Sequence, residues 1–321
     1  MLVRQQGSAL VVHTPAKLNL FLEILGKRPD GFHELETLMV TVGHYDTLRF
    51  TEDDSSASPA RSASAVSAAG LPSDIHLSCR WAGSPEFSPG PIPTGSDNLV
   101  VRATELLREV TGTRRGVSIE LTKRIPMAAG LAGGSSDCAA TLWALNRLWK
   151  LGLPDQRLLE LAARLGSDIA FFLTRTSAAV CRGRGEIIEP VAAPMRLHFV
   201  IAKPASGLST AAVFRQCRSA ASPRSFPTQS AQPLVDSLRA GRLSVAARQL
   251  HNALQPPAEQ LNPDVVRLRR TFSRLPFLGH QMSGSGTSYF GLCSQLDQAT
   301  ALAAQVRSAG CDHVFVASTQ P

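Results

Sequence analysis

The sequence predicts an α+β fold in two domains, and three observations lead to this prediction. Strand-like and helix-like segments follow one another without the regular strand–helix–strand order of parallel α/β proteins. The chain has 321 residues, which is enough for two domains of ordinary size. A turn with a proline at each end, residues 190–194, separates two sets of elements, so we place the domains at 1–194 and 195–321.

Each predicted element rests on the spacing of its apolar residues. Residues 98–110 place apolar side chains three and four positions apart, as in an amphipathic helix, whereas 116–122 alternates apolar and polar residues, as in a strand. The same reasoning predicts further strands at 11–13, 18–25, 38–42, 47–51 and 197–202. It also predicts helices at 136–149 and at 156–165, the latter ending at Gly166.

Composition indicates a globular protein outside the membrane. Hydrophobic residues make up 44% and charged residues 18%, which is ordinary for folded domains. The chain has no long apolar run and no signal or transit segment at its N-terminus, so we expect a cytoplasmic protein. The six cysteines are far apart without metal-ligand spacing, so we expect reduced thiols and assign no metal ligands. Two segments rich in small and polar residues, 53–69 and 216–233, are predicted to be insertions.

The net charge of +8 is concentrated in one part of the chain. Residues 201–275 contain eleven Lys and Arg against three Asp and Glu. Such an excess is typical of a solvated surface, but it also suits nucleic acid or a substrate with several phosphates. The charge alone leaves these three interpretations open.

A glycine-rich stretch at 126–136 is the strongest functional motif. It lies between a predicted strand and a predicted helix, and its three glycines let the backbone approach a ligand closely. Ser135 or Ser136 is a candidate helix cap, and the free N–H groups at a helix start suit phosphate. We expect a side chain at Gly133 to project toward that phosphate. The motif is neither a Walker A loop nor a dinucleotide fingerprint, so a plain turn remains an alternative.

Three further features each allow a structural and a functional interpretation. Lys17, in Pro-Ala-Lys-Leu-Asn, is either a surface-strand lysine or a lysine fixed near a core. Asp168 follows Gly166 and either caps a helix or serves as a half-buried general base. The Ser-Gly-Ser-Gly sequence beginning at Ser283 is a tight turn or a second glycine loop.

The joint order of these motifs resembles the GHMP kinase superfamily. The resemblance rests on the Pro-Ala-Lys segment, the central Gly-Leu-Ala-Gly-Gly-Ser-Ser and the late Ser-Gly-Ser-Gly. The segment Arg-Pro-Asp-Gly-Phe-His-Glu-Leu-Glu-Thr at 28–37 is similar to the branch that acts on a cytidine-diphosphate-linked methylerythritol. Galactokinases and mevalonate kinases carry Gly-Glu-His after their first strand instead. The resemblance covers about 15–290, interrupted by the two insertions.

This resemblance implies a fold and a reaction. The expected fold has a ribosomal-protein-S5-like N-terminal domain and a ferredoxin-like C-terminal domain, with the site in the cleft between them. The expected activity is ATP-dependent phosphorylation of the substrate's 2-hydroxyl in the non-mevalonate isoprenoid pathway. ATP is then a substrate accompanied by Mg²⁺, and the partner is a small molecule with cytidine diphosphate rather than nucleic acid or a membrane. The oligomeric state is left open.

The resemblance also assigns roles to residues. Asp168 matches the aspartate that takes the proton of the hydroxyl, and Lys17 matches the lysine that steers and acidifies the reacting groups. Phe32 and Phe214 match aromatics that sandwich the cytosine, and His33 reads its edge through main-chain groups. Asn19 and Thr210 match residues that contact the polar groups of the substrate. The residues that match the ATP site are Asn98, Lys123, Pro126, Met127, Ala128, Ala129, Gly130, Leu131, Ala132, Gly133, Gly134, Ser135 and Ser136.

This chain departs from the family pattern at two places, and a third residue raises a question of charge. Phe32 stands where the family usually has Tyr, and Ala170 stands where it usually has Pro. Asp137 follows the loop serines and is expected to repel phosphate unless magnesium intervenes.

Two alternative functions remain. A GHMP kinase acting on a smaller alcohol would have no use for Phe32, His33 and Phe214. An RNA-binding protein would interleave aromatics with its bases, yet 201–275 holds only three phenylalanines, Phe214, Phe226 and Phe272.

Overall fold

The computed structural model describes residues 1–53, 75–83, 90–192, 195–219, 229–311 and 313–320. The predicted boundary at residue 194, nearly all of the predicted insertion at 53–69 and the centre of the one at 216–233 lie outside the described residues.

The described residues form strands and helices that mix along the chain. The strands are β1 (Leu2–Gln6), β2 (Ala9–Lys27), β3 (His33–Asp53), β4 (Ile75–Trp81), β5 (Gly116–Lys123), β6 (Ala178–Gly183), β7 (Ile187–Pro190), β8 (His198–Lys203), β9 (His251–Asn252), β10 (Gly279–Met282), β11 (Tyr289–Cys293) and β12 (His313–Ser318). The helices are α1 (Leu99–Thr111), α2 (Gly133–Leu148), α3 (Asp155–Leu165), α4 (Ile169–Leu173), α5 (Thr210–Ser219), α6 (Gln232–Arg239), α7 (Leu243–Arg248), α8 (Gln255–Leu261), α9 (Pro263–Phe272) and α10 (Leu296–Ser308). The α+β prediction is confirmed.

The chain divides into two compact units, each made of separate segments. The first unit contains Met1–Ala16, His44–Ile125 and Gly133–Arg175. The second contains Lys17–Gly43, Pro126–Ala132 and Thr176–Pro321. The division passes through β2 and β3, which the sequence predicts as two short strands each. Both are continuous in the structure because their polar residues, Thr14, Lys17 and Asn19 among them, are buried with hydrogen-bond partners rather than turned out at a break.

In the first unit, α1, α3 and β5 lie where the sequence predicts them, whereas β1 and β4 were not predicted. β1 pairs antiparallel with the start of β2, the second half of β3 pairs antiparallel with β5, and β4 pairs parallel with β5. Helix α1 begins at Asn98, whose side chain accepts the Val100 N–H at 2.9 Å, and it ends at Gly112, with φ 70°. Helix α3 ends at Gly166, as predicted.

The second unit contains a four-stranded antiparallel sheet in the order β10-β11-β8-β12. Its core joins residues from distant parts of the chain, such as Leu22, Val200 and Phe272. The first half of β3 pairs antiparallel with β6, β6 with β7, and β2 runs parallel with β9. In the described ranges, no helix combines the length and apolar character that crossing a bilayer requires.

Candidate active site

The loop Pro126–Ala132, which we call the amide cradle, leads from β5 into α2. Every second residue has a left-handed backbone: φ is 49° at Ala128, 73° at Gly130 and 56° at Ala132. Two of these residues are alanines, for which this conformation costs about 1–2 kcal/mol each. The surrounding structure must therefore hold the loop in place.

Hydrogen bonds to three consecutive carbonyls of the amide cradle provide this hold. The Ala129 carbonyl accepts from the Ser288 N–H, the Gly130 carbonyl from Ser283 Oγ, and the Leu131 carbonyl from the Lys17 N–H, each at 3.1 Å. In a trans peptide the N–H points away from the carbonyl, so the next N–H groups, those of Gly130, Leu131 and Ala132, face the opposite side. Neighbouring N–H groups presented in this way suit an anion such as phosphate.

Gly130 and Gly133 are both required, but for reasons that differ from the one predicted. A Cβ at Gly130 would overlap the Ser283 carbonyl oxygen. A Cβ at Gly133 would lie 2.8 Å from Ile125 Cγ2 and 3.0 Å from Lys123 Nζ. The expectation that a Gly133 side chain would project toward phosphate is therefore wrong, since it would project into the protein.

The second glycine loop, residues 283–287, packs against the amide cradle and belongs to the candidate site. Gly284 has φ 54°, and a Cβ there would lie 3.2 Å from both Lys17 Nζ and Asn19 Oδ1. Asn252 holds the loop by donating to the carbonyls of Met282 and Gly284, at 2.8 and 2.9 Å. The Ser-Gly-Ser-Gly sequence predicted a glycine loop as one of two alternatives. No local sequence signal pointed to Asn252.

Lys17 is a buried lysine, so the surface-strand interpretation is wrong. Its side chain is 3% exposed, and Nζ donates to Asn19 Oδ1 at 2.5 Å. Asn19 in turn donates from Nδ2 to Thr37 Oγ1 at 2.8 Å and from its backbone N–H to Ser283 Oγ at 3.3 Å. Asn19 thus positions the ammonium group of Lys17. A direct contact of Asn19 with substrate stays a prediction.

The residues predicted to bind cytidine lie in the second unit, with ring contacts of their own. Phe214 stacks on His33, with ring centroids 5.0 Å apart and planes 27° apart. Phe32 is 50% exposed, and the guanidinium carbon of Arg184 lies 4.7 Å from the centroid of its ring. Thr210 Oγ1 lies 2.9 Å from Ser285 Oγ of the second glycine loop. The sandwich of a base between Phe32 and Phe214 stays a prediction.

In the first unit, Asp168 directly precedes helix α4. Its backbone is helical, with φ −79° and ψ −11°, and its side chain makes no capping hydrogen bond. The structure thus gives no support to the capping interpretation, and Asp168 stays a candidate base. Ala170, which replaces the usual proline, is buried within α4.

Lys123 lies in a buried ion cluster, a name we give to Thr14, Asp46, Lys123 and Asp137. Its Nζ donates to Asp46 Oδ2 at 2.5 Å and to Asp137 Oδ2 at 2.8 Å, and Thr14 Oγ1 donates to Asp137 Oδ1 at 3.0 Å. Burial alone would lower the pKa of Lys123, but the two carboxylates outweigh it and raise the pKa. Burial raises the pKa of Asp137 to about 7, against the opposing effect of Lys123.

Asp137 and Lys123 both have partners inside the buried ion cluster. The Asp137 carboxylate faces Lys123 and Thr14, so its expected repulsion of phosphate is compensated inside the protein. Lys123 is 3% exposed, and its ammonium group lies against Gly133, the first residue of α2.

The Asn98 side chain caps the start of α1, and its Nδ2 also donates to the Pro93 carbonyl at 2.6 Å.

Helix α2 begins at Gly133, three residues earlier than predicted. Ser135 and Ser136 therefore lie inside its first turn rather than at the N-cap. Ser136 is fully buried, and its Oγ has no hydrogen-bond partner among the described residues. Among those residues, no group of three or more His, Cys, Asp or Glu could hold a metal ion.

Two protein-family models match separate parts of the sequence. The model described as "GHMP kinases N terminal domain" matches residues 98–175, and "GHMP kinases C terminal" matches residues 234–312. The first match contains Asn98, the whole amide cradle and Asp168, and both models describe domains of GHMP kinases.

Similar proteins of known name indicate which kind of kinase this chain is related to. A protein of Pelotomaculum thermopropionicum named 4-diphosphocytidyl-2-C-methyl-D-erythritol kinase is 39% identical over 292 residues, which are 91% of this chain and 92% of that protein. One of Geobacillus thermodenitrificans with the same name is 37% identical over 306 residues, 95% of each chain. A crystal structure of 4-(cytidine 5'-diphospho)-2C-methyl-D-erythritol kinase, 30% identical, matches with a TM-score of 0.73 over 97% of this chain and 99% of that chain. The chain belongs to the 4-diphosphocytidyl-2-C-methyl-D-erythritol kinase family.

Proposed function

We propose that the chain transfers the γ-phosphoryl group of ATP to the 2-hydroxyl of 4-diphosphocytidyl-2-C-methyl-D-erythritol, in the non-mevalonate isoprenoid pathway. The family membership supports this reaction, and the amide cradle is the observation that carries it. We place the reaction in the cytoplasm, with neither nucleic acid nor a membrane as partner. We also keep the division into domains near residue 194, because the two GHMP matches lie on either side of it.

The amide cradle binds the ATP phosphates in this proposal. The N–H groups of Gly130, Leu131 and Ala132 donate to phosphate oxygens, and the first turn of α2 adds the partial positive charge of a helix N-terminus. These donors are fixed before ATP arrives, since the carbonyls on the other side of the same peptides are already hydrogen-bonded. Such fixed donors stabilise the charge that spreads over the phosphoryl oxygens during transfer.

Magnesium fits this arrangement through Ser136, whose buried Oγ lacks a partner among the described residues. A magnesium ion commonly takes most of its ligands from phosphates and water, so a single hydroxyl from the protein suffices. When bound, the ion screens the negative charge of the phosphates.

Asp168 and Lys17 share the work at the hydroxyl. The O–H proton passes to the Asp168 carboxylate as the hydroxyl oxygen forms its bond to the γ-phosphorus, and the bond from that phosphorus to the β-phosphate oxygen breaks to release ADP. Lys17 supplies positive charge that stabilises the negative charge developing on the reacting oxygens. Its burial and its bond to Asn19 fix that charge in one place.

Recognition of the cytidine involves Phe32, Phe214 and His33. Stacking on aromatic rings tolerates any base, so selection falls to main-chain groups around His33 that meet the cytosine edge. Uracil would leave those groups unpaired, at about 1–3 kcal/mol for each buried group. Asn19 and Thr210 lie next to Lys17 and the second glycine loop, where the polar groups of the substrate would be met.

One experiment tests the reaction and its base together. A coupled ATPase assay compares the parent protein and Asp168→Asn on the cytidine-linked substrate, its uridine-linked analogue, free methylerythritol phosphate, homoserine and mevalonate. We expect the parent to use only the cytidine compound well, with the uridine analogue weaker by about two to four orders of magnitude. Asp168→Asn should lower turnover by at least about two orders of magnitude while ATP binding, measured by calorimetry, is kept.

Each unfavourable outcome contradicts a different part of the proposal. Turnover of homoserine or mevalonate in place of the cytidine compound would assign the chain to a kinase of smaller alcohols. Near-parental turnover by Asp168→Asn would exclude this carboxylate as the base. Equal use of the uridine analogue would contradict recognition of the cytosine edge and leave the phosphoryl transfer standing.

A further inference from the structure

Arg184 lies in a tightly fixed turn between β6 and β7. Gly183 and Gly185 have positive φ, 74° and 120°, and the Arg184 N–H donates to Glu186 Oε2 at 2.6 Å. A Cβ at Gly183 would lie 2.8 Å from the same carboxylate, and the positive φ of Gly183 also favours glycine there. The backbone of the turn therefore fixes the position of Arg184, and its guanidinium group lies over the exposed ring of Phe32.

The charges around this arginine are already paired with others. Two neighbouring arginines take up the nearby carboxylates in the ion pairs Arg28–Asp30, Arg28–Glu34, Arg182–Glu36 and Arg182–Glu189, which span 2.6 to 3.2 Å. Glu186 receives the backbone N–H of Arg184 rather than its guanidinium. Within the described ranges, Arg184 makes no ion pair, although its charge also acts on the Asp30 carboxylate, whereas Arg182, two residues before it, pairs with two carboxylates.

We propose that Arg184 is a substrate-binding residue that pairs with the diphosphate of the cytidine-linked substrate. This proposal rests on the proposed function, in which a base stacks on Phe32. The diphosphate is joined to the same nucleoside as that base, so a cation at the stacking ring is near the substrate's negative charge. A guanidinium fits phosphate oxygens with two parallel N–H donors, and it stacks on aromatic rings, so both contacts suit one arginine.

The alternative is that Arg184 only supports the Phe32 ring from one face. The two roles differ in which part of the ligand feels the loss of the arginine. A supporting role would weaken binding of cytidine and of cytidine diphosphate by the same factor. A phosphate contact would weaken binding of cytidine diphosphate alone, by about ten- to a hundred-fold, which is the worth of a charge-assisted hydrogen bond.

The test is calorimetric titration of the full-length protein with cytidine, cytidine diphosphate and ATP. Arg184→Gln is compared with the parent, with Arg184→Lys, which keeps the charge but not the planar fork, and with Arg270→Gln. Arg270 is an exposed arginine on α9, so its variant removes the same surface charge away from Phe32. Circular dichroism checks that each variant is folded.

We expect Arg184→Gln to lose at least about ten-fold in affinity for cytidine diphosphate and less than about three-fold for cytidine, with ATP unchanged. Arg184→Lys should fall between the parent and Arg184→Gln, and Arg270→Gln should match the parent. The KM for the cytidine-linked substrate should rise with the dissociation constant of cytidine diphosphate, while the KM for ATP stays constant. Equal losses for cytidine and cytidine diphosphate, or no loss, would overturn the assignment.

The same titrations separate this proposal from the proposed function. One result would contradict the reaction and support the assignment of Arg184: the parent binds cytidine diphosphate better than cytidine but does not phosphorylate the linked alcohol, and Arg184→Gln lacks that preference. The opposite result is a parent that phosphorylates the compound and an Arg184→Gln variant with unchanged KM and affinity. It would support the reaction and contradict the assignment of Arg184.

Discussion

The amide cradle and the buried ion cluster are built on opposite principles. The amide cradle presents neutral N–H groups, and neutral hydrogen bonds hold its carbonyls. The buried ion cluster places one ammonium group between two carboxylates, against the first residue of α2. Backbone donors can be arranged without net charge, whereas a buried charge needs a partner of opposite sign. The neutral donors of the amide cradle are therefore held by neutral hydrogen bonds, whereas the charge of Lys123 is held by the carboxylates of Asp46 and Asp137.

Breaking the buried ion cluster should have the largest effect on stability. Lys123→Met leaves two carboxylates buried without their cation and should lower the free energy of unfolding by about 3–5 kcal/mol. The double variant Lys123→Met/Asp137→Asn should recover much of this loss, because the remaining Asp46 still accepts the N–H groups of Arg124 and Ile125. Urea unfolding followed by circular dichroism measures both values.

A matched control is Lys150→Met, since Lys150 is an exposed lysine of the same unit. It should change the free energy of unfolding by no more than about 0.5 kcal/mol. A double variant as unstable as Lys123→Met would contradict the view that charge balance, rather than the volume of Lys123, holds the cluster.

Breaking the amide cradle should have a smaller effect on stability and a larger one on ATP. Gly130→Ala places a Cβ on the Ser283 carbonyl oxygen at a left-handed φ, so we expect a loss of about 1–3 kcal/mol in stability. ATP affinity should fall by at least about ten-fold, since the displaced loop loses the carbonyl bonds that aim its N–H groups; a fall of that size is about 1.4 kcal/mol. Calorimetry measures the dissociation constant.

Gly26→Ala is the matched control for this prediction. Gly26 lies near the end of β2 in the same unit, and a Cβ there meets nothing within 4 Å. It should bind ATP as the parent does. Equal ATP affinity of the two glycine variants would show that the backbone of the loop is not what positions the phosphates.

Asp137→Asn tests the buried ion cluster through pH and should have the smallest effect on stability. The folded pKa of Asp137, about 7, lies above its ordinary value of 3.8, so protonation favours the fold. Its contribution to stability is complete below 3.8 and is lost as the pH rises through about 7. The melting temperature of Asp137→Asn relative to the parent should therefore increase from about pH 5 to about pH 8. A constant difference would contradict the raised pKa.

Much of the fold was predictable because periodicity reports burial. The helix predicted at 98–110 is α1, the strand at 116–122 is β5, and Gly166 ends α3 as expected. The long strands β2 and β3 were predicted in pieces because their buried polar residues interrupt the apolar pattern. Only tertiary partners, such as Thr37 for Asn19, make those polar residues compatible with a continuous strand.

The candidate site was predictable where local motifs encode it. The glycines of the amide cradle and the Pro-Ala-Lys segment are contiguous in sequence, so they were identified from the motif. The buried ion cluster unites Thr14, Asp46, Lys123 and Asp137, which are separated by up to 123 positions, and Asn252 reaches the second glycine loop from 32 positions away. No local pattern marks such long-range pairs, because each residue type is ordinary where it stands.

The continuity of β2 and β3 has a consequence for exchanging gene segments between relatives. The second unit takes Lys17–Gly43 from early in the chain, and Leu22 and Ile24 pack there with Val200 and Phe272. A chimera joined near residue 194 would combine early strands from one parent with the later core of another. Crossovers that transfer Lys17–Gly43 together with the C-terminal part would instead take all the residues of each core from one parent.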